Sequence, residues 1–151
     1  MIAPMLKILF LCSGNSCRSQ MAEGWTRDLK PGLFEPYSAG LEPHRLNSDA
    51  VRVMAEAGID ISGQRSKVVG ELRNTDFDVV VTLSDRVRRS CPRFWKRAKT
   101  IHKTIESPPR LAADAVTEEE RLSPYRQARD QIRLFVESLP ADLCGRFDRQ
   151  E

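Results

Sequence analysis

Two hydrophobic repeat lengths alternate along this chain. Near-unbroken apolar runs stand at Leu6–Leu11 (LKILFL) and Phe77–Leu83 (FDVVVTL). Short runs of this kind, with β-branched and aromatic members, predict strands buried on both faces, as in the middle of a parallel sheet. Phe34–Gly40 (FEPYSAG) predicts another strand, which Pro36 assigns to an edge or an irregular position. Lys99–Lys103 (KTIHK) predicts a short last one. Helical spacing fills the gaps. Met21, Ala22, Trp25 and Leu29 recur within Ser19–Lys30, which KPG closes. Asn47 and Ser48 can cap a helix through Ala57, with Val51, Met54 and Ala55 on one face and Gly58 as its stop. From Thr117 to Leu139, the residues Leu122, Tyr125, Ala128, Ile132, Phe135 and Val136 repeat at three and four behind an acidic TEEE turn. Pro124 inside that pattern predicts either a later start or a bend.

Strands and helices therefore alternate, and no repeat or linker interrupts them. The pattern predicts one α/β domain over residues 1–151, built on a parallel sheet. In such sheets ligands gather beyond the carboxyl ends of the strands. The stretch CSGNSCRSQ, Cys12–Gln20, falls at such an end, between the first strand and the first helix.

Size and composition narrow the function classes. A chain of 151 residues builds one full core, burying roughly 68–70% of its unfolded surface. The formal charge of +3, with both signs interspersed, suits the handling of small anions and argues against nucleic acid. No apolar run approaches the ~20 residues needed to cross a bilayer, so no membrane association is expected. MIAPMLKILFLC lacks the cleavage site of a signal peptide. The expectation is a cytoplasmic protein whose four cysteines are free, catalytic or redox-active rather than bridged.

Cys12 and Arg18 form a C-x5-R pair, but spacing alone is weak, because Cys91 and Arg97 repeat it in CPRFWKR. The second copy contains a proline without a donor, and the bulky Phe94 and Trp95, which oppose a tight curl. For those two aromatics, core packing is the more common fate and a place at a ligand mouth the alternative. The first copy is filled by Ser13, Gly14, Asn15, Ser16 and Cys17. Gly14 and Asn15 are expected to adopt left-handed dihedrals, so that successive N–H groups turn into one concavity that binds an oxyanion. The helix starting there adds unsatisfied N–H groups and its positive dipole end. Arg18 can offer a planar fork to two oxygens of a tetrahedral anion. Helix N-termini and neighbouring guanidinium groups favour cysteine thiolates. Cys12 would then be a nucleophile at the bottom of its own substrate cradle.

Other readings are weaker. A structural zinc would need about four clustered ligands, whereas His44, Cys91, His102 and Cys144 are scattered, so no metal is expected. A structural disulfide is disfavoured by compartment, and a plain strand–turn–helix with incidental cysteines is the remaining alternative. The basic run Arg86–Arg97 is by default a solvated face. Its functional alternative is attraction of anions, or of an acidic redox partner, toward Cys91. Cys144 reads as incidental, and His44 and His102 have no visible catalytic partner.

At these residues the chain closely resembles the low-molecular-weight protein tyrosine phosphatase superfamily, and within it the thioredoxin-coupled arsenate reductase branch. The resemblance rests on CSGNSCRSQMAEGW (Cys12–Trp25), YSAG (Tyr37–Gly40), AGIDISGQRSK (Ala57–Lys67) and FDVVVTLSD followed by Cys91–Pro92. It implies a three-layer α/β sandwich around a four-stranded parallel sheet. It also implies Cys12 as nucleophile, Arg18 as oxyanion clamp, and Ser13, Gly14, Asn15, Ser16 and Cys17 as cradle. Ser19 would hydrogen-bond the thiolate, and Asn15 with Ser38 would brace the loop.

Two positions depart from the branch. Its reductases carry a cysteine directly after the VTL strand, which attacks the arsenylated nucleophile, and another before a proline, which takes over the disulfide. Here the first position is Ser84 and only Cys91 remains. Either Cys91 or Cys17 would resolve Cys12, or an external thiol such as glutathione or thioredoxin would. The superfamily's general acid is the aspartate of an Asp-Pro pair. The matching stretch IESPPR places Ser107 before Pro108. Glu106 is adjacent and Asp114 follows, with a plain solvated carboxylate as the alternative for Glu106. The tyrosines that grip a phosphotyrosine ring beside that pair are missing from SPPRLAAD.

The resulting expectation is an arsenate reductase-like enzyme acting on a small oxyanion, without a bound cofactor. An external thiol reductant would serve it, with thioredoxin or glutaredoxin as candidate partners and the monomer as the expected state. The second hypothesis is phosphomonoester hydrolysis through a phosphocysteine on Cys12. The third is an oxyanion-binding protein with little turnover.

Overall fold

The computed structural model describes residues 4–42, 44–90 and 95–140. Four parallel strands form one sheet: β1 (Leu6–Cys12), β2 (Phe34–Gly40), β3 (Val79–Thr82) and β4 (Lys99–His102), in the spatial order β2-β1-β3-β4. The two apolar runs thus occupy the centre. Pro36 lies on an edge strand, where a missing N–H leaves at most one neighbour without a donor.

Strand alternation sorts the side chains of β1 into two cores. Ile8 and Phe10 point to one face, where they meet α1 (Arg18–Leu29), α2 (Ser48–Glu56) and α5 (Glu118–Ser138) through Met21, Trp25, Met54 and Ile132. Leu9 and Leu11 point to the other, against Val87 of the short α3 (Asp85–Arg89), Phe77 and Trp95. Helices on both faces of the sheet give three layers. Each fully buried Leu, Ile or Phe contributes about 1.5–3 kcal/mol.

Local chemistry sets the helix ends. The Asn47 side chain accepts from the Ala50 N–H, and Gly58 follows α2 at φ +82°. The buried face of α2 is Ala50, Val53 and Met54; Val51 is only half-buried and Ala55 faces solvent. The six periodic apolar residues of α5 are its buried face. That helix begins at Glu118 behind a Thr117 cap, so Pro124 does not start it. Three short elements left no periodic trace in the sequence: α3, α4 (Pro108–Leu111) and a 3-10 turn at Val69–Leu72.

Trp95 packs edge-on against Phe77 at 5.3 Å, and its indole N–H donates to the Leu72 carbonyl at 3.1 Å. It belongs to the second core and not to a ligand mouth. Cys91, Phe94 and Cys144 lie outside the described residues.

Candidate active site

β1 delivers Cys12 to the carboxyl edge of the sheet, where it is 2% exposed. The chain then curls through Ser13–Cys17 into α1. Every carbonyl of the curl is held from outside. Ser13 O accepts from the N–H groups of Leu41 and Glu42, and Gly14 O from the His44 N–H and the Ser66 hydroxyl. Asn15 O accepts from the Gln20 amide, and Ser16 O from the Asn47 N–H. Among the described residues, no protein acceptor takes the N–H groups of Ser13 to Cys17. With their carbonyls turned outward, these donors form an anion-binding nest beside the N-terminus of α1.

Asn15 has φ +50°, the left-handed conformation that its short amide tolerates. Gly14 does not, contrary to expectation; a Cβ there would instead stand 2.5 Å from the His44 ring. Glycine at 14 supplies room. At Gly40 the requirement is stricter, because a Cβ would lie 2.6 Å from the Asn15 backbone nitrogen and 2.7 Å from the Gly14 carbonyl carbon.

The Asn15 amide is the brace. Its Oδ1 accepts from the Lys67 N–H at 2.7 Å and from Gln20 Nε2 at 3.0 Å, while Nδ2 donates to Ser19 Oγ at 2.8 Å. Ser19 Oγ lies 2.9 Å from Cys12 Sγ. Gln64 continues the network onto Gln20. Ser38, expected to brace the loop, donates instead to the buried Glu23 at 2.8 Å, which also meets Arg27 and Lys67.

Arg18 Nη1 donates to the Ile105 carbonyl at 2.8 Å, tying the start of α1 to the loop after β4. Cys17 is 4% exposed. Burial, chiefly, pushes its thiol far above the ordinary range; Cys12 adds to this and Arg18 opposes it.

A cavity of about 760 Å³ opens above Cys12, with Arg18, Ser84, Asp85, Thr104 and Glu106 in its walls. Ser84 is the N-cap of α3, accepting from the Val87 N–H at 3.2 Å. Glu106 is exposed on the opposite wall, Ser107 begins α4, and Asp114 is exposed and outside the cavity lining.

The sequence left His102 without a partner. In the structure its Nδ1 meets Thr82 Oγ1 at 2.7 Å, and its Nε2 meets Asp85 at 3.0 Å and Thr104 at 2.8 Å. His102 and Thr104 hold the Asp85 carboxyl below its ordinary range. No sequence pattern signals this cluster; the parallel register of β3 and β4 sets His102 beside Thr82. His44 lies over Gly14 and 3.6 Å from Glu42, which is itself paired with Arg86. Among the described residues, no three His, Cys, Asp or Glu side chains are grouped to hold a metal, and no helix is long and apolar enough to cross a membrane.

A buried cysteine at the end of a central parallel strand, a row of inward N–H groups and an arginine meet at one cavity, an arrangement whose donors suit a tetrahedral oxyanion. The family model of the low molecular weight phosphotyrosine protein phosphatases matches residues 7–143, and the chain belongs to that family. An arsenate reductase of Bacillus subtilis (strain 168) is 42% identical over 125 residues, 83% of this chain and 88% of that protein. The structure of an arsenate reductase in its phosphate-binding state superposes with a TM-score of 0.74 at 34% identity, covering 91% of this chain and 98% of that one. A low molecular weight protein tyrosine phosphatase from T. tengcongensis gives a TM-score of 0.71 at 26% identity, covering 91% and 99%.

Proposed function

We propose that the chain acts as one domain and reduces arsenate through Cys12. The observation that carries this reading is the Ser13–Cys17 nest closing over the Cys12 sulfur, with Ser19 beside it and Arg18 at its rim. The likeness to arsenate reductases supplies the substrate. Arsenate binds with its oxygens on the loop N–H groups, and Arg18 exchanges the Ile105 carbonyl for two of them. The Cys12 thiolate attacks arsenic, an S–As bond forms, and one oxygen leaves as water after protonation. A thiolate then attacks the Cys12 sulfur. An S–S bond forms, the S–As electron pair falls back on arsenic, and arsenite departs. A second thiol frees Cys12. In sum, arsenate and two thiols give arsenite, one disulfide and one water.

The first resolving thiol has three candidate sources. Ser84 stands where the branch's resolving cysteine would be and cannot make the bond. Cys17 is held as an unreactive thiol by burial. Cys91 lies outside the described residues. In this reading Cys91 or an external thiol, glutathione or the dithiol of thioredoxin or glutaredoxin, makes the first attack, and external thiol completes the cycle, in a cytoplasmic and monomeric enzyme.

Hydrolysis of a phosphomonoester through a phosphocysteine is the second reading, favoured by the Glu106 carboxylate in the cavity wall. It is weaker because Ser107 holds the general-acid position and no phenylalanine, tyrosine or tryptophan is among the described residues lining the cavity. The test is arsenate-dependent oxidation of glutathione and of thioredoxin, run beside p-nitrophenyl phosphate hydrolysis. Reduction is expected to dominate and to vanish in Cys12→Ser. Hydrolysis outpacing reduction with both thiols would reverse the order of the readings.

A further inference from the structure

The cavity over Cys12 is far larger than one tetrahedral oxyanion fills, and its size falls in the ~300–1,000 Å³ range of small-molecule pockets. Its outer part is basic. Three arginines line it beyond Arg18: Arg86, Arg89 and Arg110. Arg86 is neutralised by Glu42 at 2.5 Å. Arg89 and Arg110 pair with no carboxylate among the described residues, and both are exposed. Of the acids in the same walls, Asp85 is hydrogen-bonded by His102 and Thr104 and lies within electrostatic reach of Arg89, and Glu106 lines the cavity with both arginines. The two arginines come from different elements, α3 behind Ser84 and α4 behind Ser107. Both line the same cavity as Ser84, the position at which the reductase branch carries its first resolving cysteine.

We propose that Arg89 and Arg110 form a carboxylate-binding subsite that seats a small anionic thiol with its sulfur over Cys12. This rests on the reading of the chain as an arsenate reductase and names the chemistry of its reductant: a low-molecular-weight thiol bearing carboxylate groups. Guanidinium forks suit carboxylates. A cavity open enough for such a molecule has no need of a cysteine at 84. The thiol carries out the balanced steps already given, attacking the Cys12 sulfur as arsenite leaves.

Two measurements test it. The first is binding of S-methylglutathione, an inert probe that needs no turnover, by calorimetry on the protein with phosphate present. Arg89→Ala and Arg110→Ala are each expected to weaken it about tenfold, with the Lys variants in between. Phosphate affinity should change far less, because the loop and Arg18 hold that ion. The second is turnover: KM for glutathione should rise about tenfold in each variant while kcat falls little, and glutathione diethyl ester should be a poor reductant for the unsubstituted enzyme alone. Equal binding of S-methylglutathione by all variants overturns the subsite. So does turnover with thioredoxin and none with glutathione. Tight, arginine-dependent binding without any arsenate reduction keeps the subsite and removes the reductase reading instead.

Discussion

Asn15 fixes the direction of the proton on Ser19. The Lys67 N–H can only donate, so the atom it meets at 2.7 Å must be the amide oxygen of Asn15. The other end of the amide is then NH2, and it donates to Ser19 Oγ. A hydroxyl that receives on its oxygen from one side is free to send its own hydrogen to the other, toward Cys12 Sγ at 2.9 Å. A backbone amide 52 residues from Asn15 thus orients the donor that a sulfur anion needs.

Ser19→Ala removes that donor. Loss of one preorganised donor at a reacting anion typically costs about a hundredfold or more in rate, and arsenate reduction is expected to fall by that order. The alkylation rate of Cys12 by iodoacetamide at pH 7 should drop with it. Asn15→Asp leaves Lys67 satisfied but turns the Ser19 hydrogen toward the new carboxylate, so it should resemble Ser19→Ala. Alkylation rates unchanged in both variants would refute this chain of donors.

Gly40→Ala should be costly. Its Cβ would press on backbone atoms of the cysteine loop, which cannot rotate away. Overpacking of this kind costs about 1–3 kcal/mol, and phosphate binding should weaken as the loop shifts. Gly14→Ala first meets the His44 side chain, 57% exposed and able to swing out. Denaturant melts and phosphate titrations of the two variants should therefore separate clearly.

Cys17 should stay inert in the native protein. With its thiol pushed up chiefly by burial, it forms little thiolate near neutral pH. Mass spectrometry after brief iodoacetamide treatment at pH 8 should find the Cys12 peptide modified and the Cys17 residue untouched until urea unfolds the chain. Rapid native labelling of Cys17 would return it to the list of resolving thiols.

Acid should loosen the packing of α2 on α5 through Glu56. Arg126 first, and Arg129 with it, hold this carboxyl down to about 2 from an ordinary 4.5. A depressed folded-state value gives stability that is present above the unfolded value and lost as pH falls through the folded one. Glu56→Gln should therefore melt lower than the unsubstituted protein at pH 7, and the gap should close between pH 4.5 and pH 2. A gap that stays constant over that window would exclude the ion pairs as its source.

Ser107→Asp restores the superfamily's acid at the head of α4, where an aspartate also serves as an N-cap. General-acid assistance is worth about 10²–10⁴-fold, and p-nitrophenyl phosphate hydrolysis should rise by at least tenfold. No rise would place position 107 out of reach of the leaving oxygen.

The legible part of the site is the contiguous part. Cys12 through Gln20 lie on one strand–loop–helix unit, so their identities and order already specified the cradle, as the period of α5 specified its buried stripe. What stayed hidden depends on residues far apart in the chain. Ser38 turned out to serve Glu23, across the gap between an edge strand and α1. His102 acquired Asp85 and Thr104 only once β4 lay beside β3. α3 and α4 are five and four residues long, too short for a period to register. On α2 two of three positions were misassigned, Val51 and Ala55 for Ala50 and Val53, because apolar residues occur on more than one side of that helix.

The hydroxyl of Ser84 caps α3, and this makes position 84 a point of trade between architecture and independence. A cysteine there would give the chain its own sulfur for the first attack, although an external reductant would still have to reduce the disulfide it formed. It would also weaken the start of the helix that presents Arg86 and Arg89, at a cost of about 1 kcal/mol for a lost cap. With external thiol making both attacks, as proposed, turnover would follow the supply of reduced thiol. Arsenate would be converted fastest where reducing equivalents are plentiful, and the reaction would stall when oxidative stress drains them.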